Sequence, residues 1–297
     1  MLSEQPHTFS SKAGVTPEGL VLVDNPCTGS YSLPEVLNRV ILGNALEVLG
    51  KLPPASVDMV FMDPPYFLQL PKKELRRWTV KTAVEGVEDD WDKFASFAEY
   101  DAFIARLLEE VKRVMKPQAT LWAIATYHSI FRIGKIIQDV GYWILNDVLW
   151  VKTNPMPNWL GVRFTNATET LIWAVKDKKA KGYAFDRELA RAFGMGKVGA
   201  NVWVLPICTG AERLKDEHGK KLHSTQKPAE LLRRVILTST REGDVVLDPV
   251  AGVGTSGHVA RALGRDFIMI EINPRYVEGI RKRFQTVPKP FSEPPSP

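Results

Sequence analysis

Short apolar runs alternate with stretches of helical spacing along most of the chain, and this alternation constrains the fold more than any other feature. The runs at 39–42, 57–62, 120–124, 143–151, 170–175, 245–247 and 267–270 read as strands. Between them, 45–49, 97–115, 130–140, 230–238, 255–263 and 274–285 read as helices. In the longest of these, Phe103, Leu107, Val111 and Val114 fall at helical spacing among charges, and Lys116-Pro117 ends the pattern. The order predicts an α/β fold: a mostly parallel seven-stranded sheet with helices on both faces.

A chain of 297 residues can bury a full core, as one large domain or two smaller ones. Residues 1–36 mix Ser, Pro, Gly and Thr without a period and read as an irregular arm. The main domain spans 37–286, with halves at 37–177 and 224–286 separated by a mixed, basic insertion at 178–223. The tail, 287–297, holds five prolines and reads as disordered. A net charge of +5 suits a polyanionic partner without demanding one. Cys27 and Cys208 lie far apart with no metal-type spacing, so no metal and a reducing, cytoplasmic setting are expected. No apolar run approaches a membrane span, and the first thirty residues lack a signal-peptide pattern.

Asp63-Pro64-Pro65-Tyr66 follows the strand at 57–62. That position is where open α/β sheets place their ligands. The two prolines lack amide hydrogens and restrict the backbone, so their carbonyls point in fixed directions. A carboxylate, rigid carbonyls and a flat ring together suit an exocyclic amino group on a planar base. The plainer alternative is a proline-stiffened loop with a solvent-facing Asp.

A second constellation, Asp248-Pro249-Val250-Ala251-Gly252-Val253-Gly254-Thr255-Ser256-Gly257, follows one strand and opens a helix. Glycines admit a ligand close to the backbone, and free helix N-terminal amides favour anions. Glu271 ends the next strand, placed to accept hydrogen bonds from ribose hydroxyls. Taken alone, the pattern fits NAD, S-adenosylmethionine or a tight turn. Beyond the helix it opens, only one more strand and one more helix remain, which argues against a dinucleotide domain. Both constellations on one sheet would place a cofactor opposite a base.

With these residues in hand, the chain resembles the β-class amino-methyltransferases of DNA, in which the catalytic motif precedes the cofactor motif by circular permutation. The resemblance runs from about Asn38 to Phe284 and includes Leu42-Gly43-Asn44-Ala45-Leu46, the two constellations above, Lys152-Thr153-Asn154-Pro155-Met156-Pro157-Asn158 and Thr225-Gln226-Lys227-Pro228. Trp91-Asp92-Lys93-Phe94, Ala125-Thr126-Tyr127-His128 and Leu205-Pro206-Ile207-Cys208-Thr209-Gly210 are similar to the CcrM and HinfI group within that class. That group suggests GANTC as the recognition site. The class usually has Phe at the position of Val250 and commonly Asp at that of Asn44.

The resemblance implies transfer of a methyl group from S-adenosylmethionine to the N6 amino group of adenine in double-stranded DNA, after base flipping. Asp63, Pro64, Pro65 and Tyr66 are then catalytic. Asp248, Pro249, Val250, Gly252, Gly254 and Thr255 line the methionine end of the donor, Glu271 takes its ribose, Asn44-Ala45 its adenine and Lys227 its carboxylate. For Asn44 and Lys227 the plainer roles are a helix N-cap and a solvated helix-start lysine. Lys72, Lys73, Arg76 and Arg77 sit with Trp78 on a long connection suited to phosphate contact and stacking; Asn154, Asn158 and Arg163 lie on another loop and are further candidates for DNA contact. A homodimer and a cognate restriction endonuclease are expected partners. The rival readings are an N4-cytosine enzyme, a non-catalytic DNA-binding module and an NAD-dependent oxidoreductase. Pro26-Cys27 would suit a C5-cytosine enzyme but lies in the arm, away from the ligand edge.

Overall fold

The apolar runs pair into one sheet. A computed structural model describes residues 19–67, 75–77, 80–82, 92–158, 161–195 and 199–285. In chain order, the sheet strands are β1 (Val21–Val23), β2 (Arg39–Leu42), β3 (Val57–Met62), β6 (Met115–Ala125), β7 (Trp143–Lys152), β8 (Thr168–Val175), β9 (Val202–Leu205), β10 (Val245–Asp248) and β11 (Asp266–Glu271). Their spatial order is β1-β2-β11-β10-β3-β6-β8-β7-β9. Every neighbouring pair is parallel except β6·β8 and β7·β8, so β8 alone runs against the rest. A separate antiparallel hairpin joins β4 (Leu75–Arg77) to β5 (Val80–Thr82).

Among the described residues the main sheet has nine strands where seven were expected, and both additions are sheet edges. β1 lies in the supposed irregular arm, and β9 lies in the supposed insertion. Each is four residues or fewer and only partly buried, and each takes its form from backbone pairing with a longer neighbour. The arm also holds the single helical turn α1 (Leu33–Val36). Its start carries a capping box, in which the Glu35 carboxylate accepts from the Ser32 amide at 2.7 Å. Ser and Glu three positions apart were a readable sign. Residues 1–18 and 286–297, including all of the expected tail, lie outside the described residues.

Helices cover both faces. α2 (Ala45–Lys51), α3 (Phe97–Val114) and α4 (Ile130–Asp139) pack on one side, where Leu49, Ile104, Leu107 and Ile133 meet Val60, Met62 and Leu247. α6 (Ala229–Ser239), α7 (Thr255–Ala262) and α8 (Pro274–Phe284) pack on the other, where Leu232, Ile236 and Ile280 meet Met59, Phe61 and Val246. Successive β3 residues thus point to opposite cores, as the two-residue strand period requires. A shorter helix, α5 (Arg187–Phe193), precedes β9. The Ser96 hydroxyl caps α3 by accepting from the Glu99 amide at 3.1 Å. Met115 leaves the helix with extended backbone, and Pro117 lies in the strand that follows. Burying one Leu or Ile of these stripes contributes about 1.5–3 kcal/mol. No helix of the described residues is long and apolar enough to cross a membrane.

The arrangement decides the site. β10 and β11 come late in the chain yet lie between β2 and β3. β3 and β10 pair in parallel, with Met59 opposite Val246 and Val60 opposite Leu247. Their C-terminal ends, and the loops that leave them, are therefore neighbours.

Candidate active site

The loop after β3 is held by aromatic residues. The Tyr100 hydroxyl on α3 donates to the Pro65 carbonyl at 2.8 Å, and the Phe67 amide donates to Asp92 at 2.7 Å. Phe67 has a left-handed backbone (φ 51°), and its ring stacks on Tyr100 at 5.8 Å between ring centres. Such a conformation costs of order 1–3 kcal/mol in a bulky residue and persists because the packing fixes it. The Asp63-Pro64-Pro65-Tyr66 turn that results is rigid, and all four residues line a cavity of about 270 Å³.

The far wall of that cavity is the loop after β10. Asp248, Pro249, Val250, Gly252 and Thr255 line it, together with Glu271, Asn44, Ala45 and Lys227. Gly252 needs its left-handed backbone (φ 54°), and a Cβ there would stand 3.1 Å from the His223 ring. Gly254 departs from expectation. It caps α7 with φ 68°, and a Cβ there would stand 2.8 Å from Ile280 of α8, so its smallness serves helix packing.

Asp248 accepts from the Ser256 hydroxyl at 2.5 Å and from the Val250 amide at 3.1 Å. Glu271 accepts from the Gly252 amide at 2.7 Å and from the Asn273 amide at 2.8 Å. The Glu271 bond ties the two strand ends together and shapes the glycine turn. Burial pushes both carboxyls up to about 7, and these neutral donors only partly offset it. Asn44 is an N-cap, with its side-chain oxygen accepting from the Leu46 amide at 2.9 Å. It keeps its place on the cavity wall beside Ala45.

Lys227 is neither a solvated lysine nor directed at an open anion site. It is 6% exposed, and its ammonium donates to Asp63 Oδ2 at 2.5 Å and to the Tyr66 hydroxyl at 2.8 Å. The Tyr66 hydroxyl in turn donates to Asp63 Oδ1 at 2.6 Å. A buried ammonium requires a counter-charge, and Asp63 is the nearest. Burial alone would lower the Lys227 pKa; the Asp63 and Glu169 carboxylates outweigh it and hold the ammonium above the usual lysine range.

Three participants had no role in the sequence reading. Glu169 opens β8 and pairs with Lys152, at the end of β7, at 2.9 Å. Because β8 runs backwards, its second residue lies at the ligand edge, and strand direction cannot be read from an apolar run. Lys152 stood inside a quoted motif without a role. His223 packs against the Gly252 turn, and its Nδ1 accepts from the Thr225 amide at 3.2 Å. Burial and the nearby Lys227 and Arg213 charges lower the ring to about 3, so it is neutral. Its position shortly before Thr225-Gln226-Lys227-Pro228 was the available signal.

The residues expected to meet DNA are placed unevenly. Lys72, Lys73 and Trp78 lie outside the described residues; Arg76 and Arg77 lie on β4, where the backbone alone is described. Asn154 ties two loops, accepting from the Ile207 amide at 2.8 Å. Arg163 donates to the Tyr127 hydroxyl at 2.8 Å, and Asn158 donates to the Arg163 carbonyl. Beside them Phe164 is 98% exposed.

A doubly covered, mostly parallel sheet with a glycine turn, an acidic strand end and an acceptor-rich second loop around one cavity is the architecture of Rossmann-like methyltransferases. The family profile described as DNA methylase (N6_N4_Mtase) matches residues 57–282. The chain is 46% identical over 256 residues to the type II methyltransferase M.HinfI of Haemophilus influenzae, covering 86% of this chain and 70% of that protein. It is 41% identical over 251 residues to the type II methyltransferase M2.DpnII of Streptococcus pneumoniae, covering 84% and 90%. Among solved structures, the M1.HpyAVI–SAM complex superposes with a TM-score of 0.60 at 24% identity, over 83% of this chain and 98% of that one. The cytosine-N4-specific PvuII DNA methyltransferase gives 0.63 at 20%, over 83% and 86%. This chain belongs to the N6/N4 DNA methylase family and is a DNA methyltransferase, with S-adenosylmethionine as its cofactor. The nicotinamide oxidoreductase and the non-catalytic module are thereby set aside.

Proposed function

We propose that this chain is a site-specific adenine methyltransferase, acting on the N6 amino group of a base turned out of duplex DNA. The observation that carries the reading is the parallel pairing of β3 with β10, which gives one cavity both an amino-group acceptor and a donor cradle. The cradle suits S-adenosylmethionine: a glycine turn for close approach, Glu271 for the ribose hydroxyls, Asn44 and Ala45 for the adenine, and Asp248 near the glycine turn. When bound, this donor supplies an electrophilic methyl group on a sulfonium sulfur.

The remaining chemistry belongs to the chain's own residues. The lone pair of an aromatic amino group is delocalised into its ring and is a poor nucleophile. Asp63 and the Pro64 carbonyl accept its two N–H bonds, which favours a pyramidal nitrogen with a localised lone pair. Acceptance of developing positive charge and alignment then lower the barrier. No proton needs to leave before transfer; afterwards the cationic nitrogen passes one to water. Tyr66, fixed by its hydroxyl, offers the base a ring to stack on.

Asp at the head of the tetrapeptide supports adenine over cytosine. Double-stranded DNA as substrate, a homodimer, a cognate endonuclease and a cytoplasmic, nucleoid-associated location complete the reading and rest on the family resemblance. Asp63→Ala should abolish transfer of labelled methyl to duplex DNA while a donor titration still shows binding. Substantial residual transfer would refute the role of Asp63. Sequencing methylated DNA from cells expressing the chain identifies base and site together; N4-methylcytosine in place of N6-methyladenine would overturn the base assignment.

A further inference from the structure

Both oxygens of Asp63 are already engaged. Oδ1 takes the Tyr66 hydroxyl and Oδ2 the Lys227 ammonium. A carboxylate with an ammonium 2.5 Å away offers little net negative field, and the ammonium repels positive charge growing on an amino nitrogen nearby. The pair as it stands therefore works against the reaction that Asp63 is built to assist.

A second acceptor lies within reach of the same donors. Glu169 Oε2 stands 3.7 Å from the Lys227 nitrogen and 3.4 Å from the Tyr66 hydroxyl. Its other oxygen is held by Lys152 at 2.9 Å. The side chains of Glu169, Lys152 and Lys227 are all at most 10% exposed, so water does not take over as the lysine's partner. A shift of about 1 Å brings Lys227 within hydrogen-bonding distance of Glu169. The Lys227 nitrogen also donates to the Thr225 carbonyl at 3.2 Å, which offers a pivot for such a shift.

We infer that Glu169, anchored by Lys152, is a positioning residue that receives Lys227 when the target base docks, releasing Asp63 as a charged acceptor. The inference rests on the role of Asp63 proposed above. No proton or electron is exchanged in the shift; one ion pair is traded for another, and the four-residue network of two lysines and two carboxylates keeps its net charge. Without Glu169, Asp63 is the one carboxylate among the described residues left within ion-pair distance of the lysine. It then stays on Asp63, or leaves as an unpaired buried charge, and either outcome slows transfer. Donor binding, on the β10 side of the cavity, is left alone.

The test is Glu169→Gln, which keeps shape and removes charge. The expected result is a fall in kcat of about tenfold or more, with KM for duplex DNA and the affinity for a non-reactive donor analogue within about threefold of the original chain. Fluorescence of 2-aminopurine at the target position should still report an extruded base. Glu169→Asp, which restores the charge on a shorter stem, should recover part of the lost kcat. A kcat for Glu169→Gln within about threefold of the original would overturn the inference, and so would donor-analogue affinity falling in step with kcat. If Glu169→Gln does not fold, Glu169→Asp decides alone: a reduced kcat with intact donor affinity supports the inference, and an unchanged kcat overturns it. Failure of the Asp63 reading is told apart by Asp63→Ala retaining transfer, which no outcome at Glu169 can produce.

Discussion

Two neighbouring strands end in the same dipeptide, Asp-Pro, and put it to different uses. Asp63-Pro64 leaves β3 and Asp248-Pro249 leaves β10, side by side on one cavity. Asp63 faces an ammonium and a phenol, whereas Asp248 faces one hydroxyl and one backbone amide. The first environment is ionic and the second is neutral. Burial raises both carboxyls, so the partners make the difference: the Lys227 ammonium and the Tyr66 hydroxyl pull Asp63 back down, whereas Asp248, with neutral donors, is poised near 7. The dipeptide fixes where a carboxyl sits; what that carboxyl does is decided by segments far away in the chain.

The strongest way to break this comparison is to neutralise each carboxyl in turn. Asp63→Asn should cost at least about 10²–10³-fold in kcat, the scale for losing a preorganised electrostatic group, with donor affinity nearly intact. It should also lower the midpoint of thermal unfolding, because the buried Lys227 loses its nearest counter-charge and keeps Glu169 at 3.7 Å. Asp248→Asn should do the reverse. The amide still accepts from Ser256 and Val250, so stability should hold, while donor affinity falls about tenfold for want of a negative group near a cationic donor. Donor titration and single-turnover transfer on both variants read the contrast directly. Equal losses of rate and affinity in the two would show the cavity to be one undivided unit.

Changing pH sharpens the same contrast with a smaller effect. Asp248 and Glu271 titrate near 7, and the donor's positive charge and ribose hydroxyls favour their ionised forms. Donor affinity should therefore rise between pH 6.5 and 8, by about fourfold if one ionisation controls it and about fourteenfold if both do. The sign for stability is opposite. Both folded values lie above the ordinary carboxylate range, so their contribution is fully present below that range and is lost as pH rises through about 7. The unliganded protein should melt at a lower temperature at pH 8 than at pH 5, and the donor should narrow the gap. The methyl-transfer step with bound donor should stay flat over this window: burial raises Asp63 above the ordinary carboxylate range, but the Lys227 ammonium and the Tyr66 hydroxyl pull it back, and the ammonium itself is held above the window. A transfer rate that follows the affinity curve would place the titrating group at Asp63 instead.

The comparison also marks what the residues alone could say. The two loops and their adjacency were legible, because seven apolar runs and two Asp-Pro motifs leave few ways to build a parallel sheet. Asn44 was legible twice over, as cap and as wall, and both uses stand together. The charge network was not. A lysine at a helix start is ordinary in sequence, and Lys227 is special only because the β3 loop closes over it. Glu169 was hidden by the reversed direction of β8. β1 and β9 were hidden by partial burial, since an edge strand of three or four residues owes its form to a partner remote in sequence. Local pattern reveals elements that are long or buried on both faces; it is blind to pairings that only the folded chain creates.

The smallest effect separates the two loops most cleanly. Relatives usually carry Phe where this chain has Val250, a half-buried residue on the donor side of the cavity. Val leaves the donor one aliphatic wall; Phe would add a flat, polarisable surface beside it. One such aromatic contact is worth about 0.5–1.5 kcal/mol beyond its area, or roughly a two- to twelvefold gain in affinity. Val250→Phe should therefore tighten donor binding by a few-fold in a calorimetric titration and leave the transfer step unchanged, since the aliphatic Val250 side chain offers no polar atom to the Asp63 network. The Val250 side chain also packs at the margin of the core beneath α2 and α3, so the larger ring must find its room in the cavity. A weakened donor with an unchanged melting temperature would mean that the ring had entered the donor's own space, and that Val250 is a fitted choice in this chain and not a missing wall.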